Sequence, residues 1–136
     1  MAVTALRRKS TPKGISEAEW NVRVELAACY QLVDLFGMTD LSSNHISVRV
    51  PGPNDHFLLN PLGVLYDQIT ASSLLKVDVN GKVLSGDPKL MNEAGFVIHS
   101  AIHAAREDAH CVMHTHTTTG MAVSCLKDGL SHNTFN

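Results

Sequence analysis

The sequence LLKVDVNGKVLS, residues 74–85, consists of two short apolar-rich runs joined by Asn80-Gly81. Asn-Gly strongly favours a tight β-hairpin turn, because both residues readily adopt positive φ angles. The stretch therefore predicts two antiparallel strands, one over Leu74–Val79 and one over Lys82–Ser85. A hairpin at this position indicates that the sheet of the fold is mostly antiparallel.

A helix and two strands are predicted before the hairpin. Ser16 and Glu19 fit a capping box, in which Ser16 caps the helix and the Glu19 side chain reaches back, and apolar residues then recur at helical spacing as far as Gly37. Residues 45–50 alternate with period two, which predicts a strand, and residues 56–60 form a second short strand.

After the hairpin the pattern predicts a helix, a strand and another helix. Residues 92–106 have helical periodicity, residues 111–115 alternate as a strand, and a further helix is expected from Thr118 or Thr119 to about Leu126. This order of elements predicts an α/β fold, a three-layer α/β/α sandwich with a mostly antiparallel (mixed) central sheet.

Length and composition indicate one folded domain. The chain has 136 residues, of which 44% are apolar and 18% are charged, values that are typical of a globular domain and not of a disordered chain. We expect residues 1–15 to be a flexible basic tail and residues 16–136 to form the domain.

Charge and hydropathy argue against two classes of partner. Eleven Lys and Arg stand against thirteen Asp and Glu, a net charge of −2, whereas proteins that bind a nucleic-acid backbone normally have a basic surface. No apolar run is long enough to span a membrane.

Three cysteines at wide spacings do not make a disulfide framework, so we expect a reducing compartment, the cytoplasm.

His114-Thr115-His116 is a candidate metal-binding motif. Side chains two residues apart on a strand point to the same face, so the two imidazoles are able to converge on one ion. Neutral imidazole suits Zn²⁺, and a catalytic zinc site usually has three protein ligands, of which this pair supplies two. The alternative is that histidine and threonine simply alternate at the end of a strand.

Glu93 is a candidate acid/base residue at the start of the predicted second helix. If it lies beside the metal, it could move a proton to or from a substrate carbon or oxygen. Alternatively, it is one of the acidic residues that the helix dipole favours in a first turn.

For the other histidines, the sequence pattern favours structural roles. His99 and His103 are four residues apart on one helix and could form a second metal pair, but no glutamate directly follows the first, as it does in zinc-protease helices. We therefore expect packed or exposed helix residues. His45, His56 and His132 have no partners in the sequence, and we expect surface or hydrogen-bonded side chains there.

Four segments in one order resemble the class II aldolase and adducin family. They are SSNHISVR (residues 42–49), LNPLG (59–63), NEAGF (92–96) and CVMHTH (111–116), and the resemblance extends from about Ser16 to the end of the sequence. Several neighbouring stretches look especially like the adducin-like branch of the family: residues 46–60, 69–74 and 95–102.

This resemblance implies an α/β/α fold, a homotetramer and a divalent metal, usually zinc, which three histidines hold during reversible cleavage of a carbon–carbon bond. It assigns two of the metal histidines to His114 and His116 and the acid/base glutamate to Glu93. It also assigns the anion-binding loops to three candidate substrate-binding residues: Asn44, Gly63 and Asn92.

The sequence departs from the family pattern in two places. Phosphate-using aldolases of the family have a pair of serines where this sequence has Met91 and Asn92, and methionine cannot donate a hydrogen bond to phosphate. The third metal histidine of the family lies well beyond His116, whereas only His132 follows here. Either this sequence is a C-terminally shortened piece of a longer protein, which is the hypothesis we favour, or its metal site is incomplete.

These observations favour a metal-dependent, aldolase-type carbon–carbon lyase that acts on a small, sugar-like hydroxy-carbonyl substrate. One alternative is a non-catalytic, adducin-like scaffold that uses the fold to oligomerise. Another is a related metal-dependent epimerase or decarboxylase, because fold and motif do not fix the reaction.

Overall fold

The helices and strands follow the predicted order along the chain. The structure is a computed structural model that describes residues 11–53 and 55–131; the first ten residues of the predicted tail and His132 lie outside the described residues. The elements are α1 (Glu17–Leu35), β1 (His45–Arg49), β2 (His56–Leu59), β3 (Leu75–Asp78), β4 (Val83–Ser85), α2 (Glu93–Ala105), β5 (Cys111–His114) and α3 (Thr118–Ser124). Short 3₁₀ turns lie at Tyr66–Gln68 and Pro88–Leu90.

The five strands form one sheet in the order β4-β3-β2-β1-β5. All four pairings are antiparallel, which confirms the mostly antiparallel sheet, and the described residues contain no parallel pairing. The Asn80-Gly81 turn joins β3 to β4 as predicted, with Gly81 at φ +91° and the backbone N of Asp78 donating to Lys82 O at 3.0 Å.

The central strand β1 lies between β2 and β5 and has a helix on each side. Ile46 belongs to the apolar cluster formed with α1, whereas His45 and Ser47 both bond to His99 on α2. Alternate residues of a strand point to opposite faces, so α1 and α2 cover opposite faces of the sheet. The predicted three-layer α/β/α sandwich is therefore confirmed.

The face of the sheet under α1 is packed with apolar side chains. Its buried cluster combines α1, the strands and the loop between β2 and β3: Leu26, Tyr30, Val33, Ile46, Val50, Leu58, Tyr66, Ile69 and Leu74. Tyr30 ties α1 to the sheet, because its buried hydroxyl accepts a hydrogen bond from Ile46 N at 3.0 Å. Removal of this apolar surface from water is the main stabilising contribution on this face.

The face under α2 has an apolar half and a polar half. In the apolar half, Phe96 of α2 packs against three buried strand residues: Phe57, Leu75 and Val77. The polar half consists of four buried side chains: His45, Ser47, His99 and His103. Buried polar groups are tolerated where they are hydrogen-bonded, and these four bond to one another.

The predicted capping box of α1 is only half formed. Ser16 Oγ accepts a hydrogen bond from Glu19 N at 3.1 Å, as expected. The Glu19 carboxylate does not reach back; it accepts from Arg23 Nε at 2.9 Å and from Lys76 Nζ at 2.8 Å. Burial opposes ionisation of Glu19, but Lys76 and Arg23 outweigh burial and hold its pKa below the ordinary value. That part of the prediction is wrong, because two cations compete successfully for the carboxylate.

Two further features bear on the sequence-based expectations. None of the helices in the described part of the chain is both long and apolar enough to cross a membrane. Cys29, Cys111 and Cys125 are free thiols, in agreement with the expectation that the cysteines do not form a disulfide framework.

The buried histidines make the stability of the fold depend on pH. Burial lowers the pKa of His99 to about 3, and burial followed by Arg49 lowers that of His103 to about 4, from an ordinary value of 6.5. Between pH 6.5 and 4 the unfolded chain therefore binds protons that the folded chain does not bind. The free energy of unfolding is expected to fall as the pH is lowered through this range, by about 1.4 kcal/mol per pH unit for each such histidine.

Urea unfolding at several pH values between about 7 and 5 measures this slope. His103→Gln is expected to reduce this slope by roughly the contribution of one histidine, about 1.4 kcal/mol per pH unit. His110→Ala, a change at an exposed histidine, is the control and leaves the slope unaltered. Equal slopes for the wild type and His103→Gln would show that His103 is not a buried neutral group.

Candidate functional site

Strand β5 and the loop after it bring His114 and His116, the histidine pair, together. His114 is the last residue of β5, and His116 lies two residues further on, before α3 begins. Their Nε2 atoms are 2.7 Å apart, and the rings meet edge to face with centroids 4.7 Å apart. They line a cavity of about 410 Å³ with residues of the loop and α3: Thr115, Gly120, Met121 and Ser124.

Asp40, in the segment before β1, orients His116. Its Oδ2 accepts a hydrogen bond from His116 Nδ1 at 2.8 Å. A neutral His116 with its hydrogen on Nδ1 has a lone pair on Nε2, so His114 Nε2 donates the hydrogen in the 2.7 Å contact. A divalent metal bound to both Nε2 atoms would replace this one hydrogen. Carboxylates that bond the second ring nitrogen of a histidine orient ligands in metal sites.

These residues fit part of a metal site. Two imidazole nitrogens converge and one ring has a carboxylate partner, a combination that suits zinc. Across residues 11–53 and 55–131, no group of three or more His, Cys, Asp or Glu side chains is arranged to hold a metal. The described residues therefore offer two converging imidazole nitrogens, whereas a catalytic zinc site usually has three protein ligands.

Asn44 supports the histidine pair through Asp40. Its side chain is buried directly before β1, and its Oδ1 accepts a hydrogen bond from the backbone N of Asp40. Its Nδ2 is buried and has no partner among the described residues. Asn44 therefore fixes the segment that carries Asp40, and its Nδ2 is a buried donor without a partner among the described residues.

The other two predicted substrate residues lie at connected turns. Asn92 is the N-cap of α2, with its Oδ1 accepting from Gly95 N at 3.1 Å. Gly63, at φ +79°, ends the turn after β2, and the preceding Leu62 N donates to Leu90 O at 2.7 Å. The structure thus holds the two turns side by side, but no hydrogen bond within the described residues links them to the histidine pair.

Glu93 is the first residue of α2, and its side chain is exposed. Within the described residues it forms no hydrogen bond or ion pair, so the structure does not bring it into contact with the histidine pair. The start of α2 approaches the pair through His45. A Cβ at Gly95 would lie 2.9 Å from His45 Cδ2, and the His45 ring stacks on His114 with centroids 4.7 Å apart.

His45 is a residue of the site that sequence reasoning missed. It faces His114 in the register of β1 and β5, and the two rings stack at an interplanar angle of 19°. Burial, followed by the neighbouring His114 and His116, lowers the His45 pKa to about 4. The expectation of a hydrogen-bonded histidine holds, because His45 Nδ1 lies 2.7 Å from His99 Nε2, but its place beside the histidine pair was not foreseen.

The sequence matches the family model described as the Class II Aldolase and Adducin N-terminal domain over residues 24–135. Alpha-adducin of Rattus norvegicus is 48% identical over 125 residues, which are 90% of this chain and 17% of that protein. The chain spans about half the length of the curated bacterial relatives that it matches.

Solved structures share the fold. An aldolase II superfamily protein from Pseudomonas syringae has 55% identity and a TM-score of 0.81, over 86% of this chain and 47% of that chain. An L-fuculose 1-phosphate aldolase from Glaciozyma antarctica PI12 has 33% identity and a TM-score of 0.73, over 85% of this chain and 48% of that chain. The α/β/α architecture of this chain therefore corresponds to about half of each of these proteins.

Replacement of Asp40 by asparagine is expected to weaken zinc binding to the histidine pair by about 10- to 100-fold, because a neutral amide is a poorer acceptor for His116 Nδ1. Competition with a chromophoric chelator measures the affinity. Asp67→Asn changes an exposed carboxylate in the 3₁₀ turn that contacts α1, on the other face of the sheet, and is the matched control. Equal zinc affinities for Asp40→Asn and the wild type would contradict the role of Asp40.

Proposed function

Because the chain belongs to the class II aldolase and adducin family, we propose that it forms part of a metal-dependent lyase that cleaves a carbon–carbon bond in a small, sugar-like hydroxy-carbonyl compound. The observation that carries this proposal is the histidine pair, with two Nε2 atoms 2.7 Å apart and Asp40 on His116. The similarity to an L-fuculose 1-phosphate aldolase, at 33% identity, supports the reaction class.

The proposed cofactor is a divalent metal, zinc by preference, held by His114 and His116. Imidazole nitrogens favour zinc over the harder cations that prefer oxygen ligands. When bound, the ion supplies a Lewis acid for a carbonyl or hydroxyl oxygen of the substrate. We propose that the further protein ligand comes from outside the described residues, which contain no third ligand arranged for it.

Glu93 is the proposed acid/base that moves a proton at the substrate. It stands at the first position of α2, where the positive end of the helix dipole favours a carboxylate. Asn92 caps this end of the helix, because its Oδ1 accepts a hydrogen bond from Gly95 N. Since Gly95 lets α2 approach His45, and His45 stacks on His114, the start of α2 lies on the same side of the sheet as the histidine pair.

Asn44, Gly63 and Asn92 are the proposed substrate-binding residues. The support for Asn44 is its hydrogen bond to the segment that carries Asp40, beside the histidine pair, and the support for the other two is the hydrogen bond that holds their turns together. We also propose that the protein is a cytoplasmic homotetramer and that neither nucleic acid nor a membrane is its partner. This follows from family resemblance and from composition.

A non-catalytic, adducin-like scaffold is the second candidate, because alpha-adducin is 48% identical over 90% of this chain. In a scaffold, the histidine pair would serve no purpose in assembly. An epimerase or decarboxylase acting through the same metal is a third candidate, since the fold does not determine the reaction. Product analysis distinguishes these reactions from aldol cleavage.

Replacement of Glu93 by glutamine is expected to lower kcat for carbon–carbon cleavage by about 10²- to 10⁴-fold, because the amide cannot exchange a proton with the substrate. The zinc content is expected to stay at the wild-type level, since Glu93 is not a proposed ligand. The assay uses the full-length protein and follows aldehyde release from a panel of hydroxy-carbonyl compounds.

Glu17→Gln is the matched control, because Glu17 is likewise the first residue of a helix and exposed. Wild-type turnover in Glu93→Gln would rule out the proposed role of Glu93. If the protein is a scaffold instead, neither variant nor wild type shows turnover, and His114→Ala leaves the oligomer intact in size-exclusion chromatography with light scattering.

A further inference from the structure

A continuous hydrogen-bonded chain, the histidine relay, runs through the polar half of the α2 face. It begins at Ala109 O, which lies 3.1 Å from His103 Nδ1. His103 Nε2 lies 2.8 Å from Ser47 Oγ, which lies 2.5 Å from His99 Nδ1. The chain ends where His99 Nε2 lies 2.7 Å from His45 Nδ1.

The carbonyl at one end gives the relay a direction. A carbonyl oxygen only accepts, so His103 Nδ1 carries the hydrogen and its Nε2 has a lone pair. Ser47 therefore donates its single hydrogen to His103 and accepts from His99 Nδ1. His99 Nε2 is then an acceptor, so His45 carries its hydrogen on Nδ1 and has a lone pair on Nε2.

This direction requires neutral histidines. Burial, followed by the charge of Arg49, lowers the His103 pKa to about 4, and the Arg49 guanidinium donates to the backbone O of His103. Burial lowers the His99 pKa to about 3. Both rings are therefore neutral near pH 7, and the relay has one set of tautomers.

The free end of the relay is His45 Nε2. It makes no hydrogen bond within the described residues and is not among their fully buried side-chain nitrogens without a partner, so a small part of it is exposed although His45 as a whole is 5 % exposed. The His45 ring lies nearly parallel to that of His114, at 19°, so the in-plane lone pairs of the two rings do not converge on one ion. His45 Nε2 is therefore placed for a ligand beside the histidine pair.

We propose that Ala109 O, acting through the histidine relay, fixes the tautomer of His45, and that His45 Nε2 is a dedicated acceptor for a substrate hydroxyl. The group recognised at this position is then a neutral hydroxyl of a hydroxy-carbonyl compound, and not a phosphate. The assignment of this ligand rests on the proposed function, whereas the tautomer of His45 does not.

A nitrogen lone pair at this position discriminates between ligand groups. A hydroxyl donates a hydrogen bond to it. An oxyanion without a hydrogen cannot donate, and its lone pairs and negative charge are repelled by the nitrogen lone pair. Met91, just before the N-cap of α2, packs against the buried cluster that contains Phe57 and offers no donor to an oxyanion. Both features favour a hydroxyl over a phosphate group.

Long-range ¹H–¹⁵N NMR of histidine-labelled protein near pH 7 tests the tautomer directly. His45 is expected to show a protonated Nδ1 and an unprotonated Nε2, in one tautomer. A protonated Nε2 in the wild type would overturn the proposal. This measurement needs no variant, metal or substrate.

Ser47→Ala is expected to remove the single tautomer of His45, because His99 loses the acceptor that holds its hydrogen on Nδ1. The two His45 nitrogens then give averaged shifts. Ser100→Ala removes another serine hydroxyl, one that bonds within α2 and lies outside the relay, and leaves the His45 signals unchanged. Identical His45 signals in Ser47→Ala and the wild type would contradict control by the relay.

Two probes test the ligand class. Dihydroxyacetone, a neutral hydroxy ketone, is expected to shift the His45 Nε2 signal, and sulfate, an oxyanion without a hydroxyl hydrogen, is not. Ser47→Ala is expected to weaken dihydroxyacetone binding by roughly twofold, because only about half of the His45 rings then keep the tautomer with a lone pair on Nε2. A response to sulfate, or none to dihydroxyacetone, would overturn the assigned ligand. Absence of aldol cleavage alongside the expected NMR results would instead contradict the proposed function.

Discussion

The position of α2 on the sheet depends on the hydroxyl group of Ser47. Ser47 is fully buried in the central strand, and its Oγ bonds both His99 and His103, which lie one helical turn apart on α2. An unpaired buried polar group costs about 1–3 kcal/mol, so any displacement of α2 that breaks these bonds is disfavoured. Because α2 begins at Glu93, the same contacts set where the proposed acid/base stands relative to His114.

Much of the fold could be predicted, because it follows from local patterns. The Asn80-Gly81 turn, the Ser16 cap and the period-two strand at His45 each depend on neighbours in the sequence, and the structure contains all three. The Glu19 side chain was predicted wrongly for a physical reason. Its carboxylate bonds both Arg23, four residues away on α1, and Lys76, 57 residues away, and together these two cations outweigh a local bond to the helix end.

In the candidate site, too, local features could be predicted from the sequence and contacts between distant residues could not. The convergence of His114 and His116 was foreseen, although β5 ends at His114 and His116 lies in the loop after it. Asp40 lies 76 residues from His116, and nothing in the sequence near either residue indicates their contact. The role of His45 depends on the register between β1 and β5, which sequence spacing does not give. The sequence does contain one indication of the polar interface between β1 and α2. The strand has polar residues at alternate positions, and the helix has two histidines four residues apart.

The histidine pair and the histidine relay meet where the His45 ring stacks on His114. The central claim is that His114 and His116 hold a divalent metal, and elemental analysis of freshly purified protein, followed by zinc titration, tests it most directly. The geometry of the pair predicts zinc that is bound or taken up by the wild type and lost in His114→Ala. A protein that carries no zinc and takes up none on titration, or that binds zinc equally well after His114→Ala, would contradict the claim.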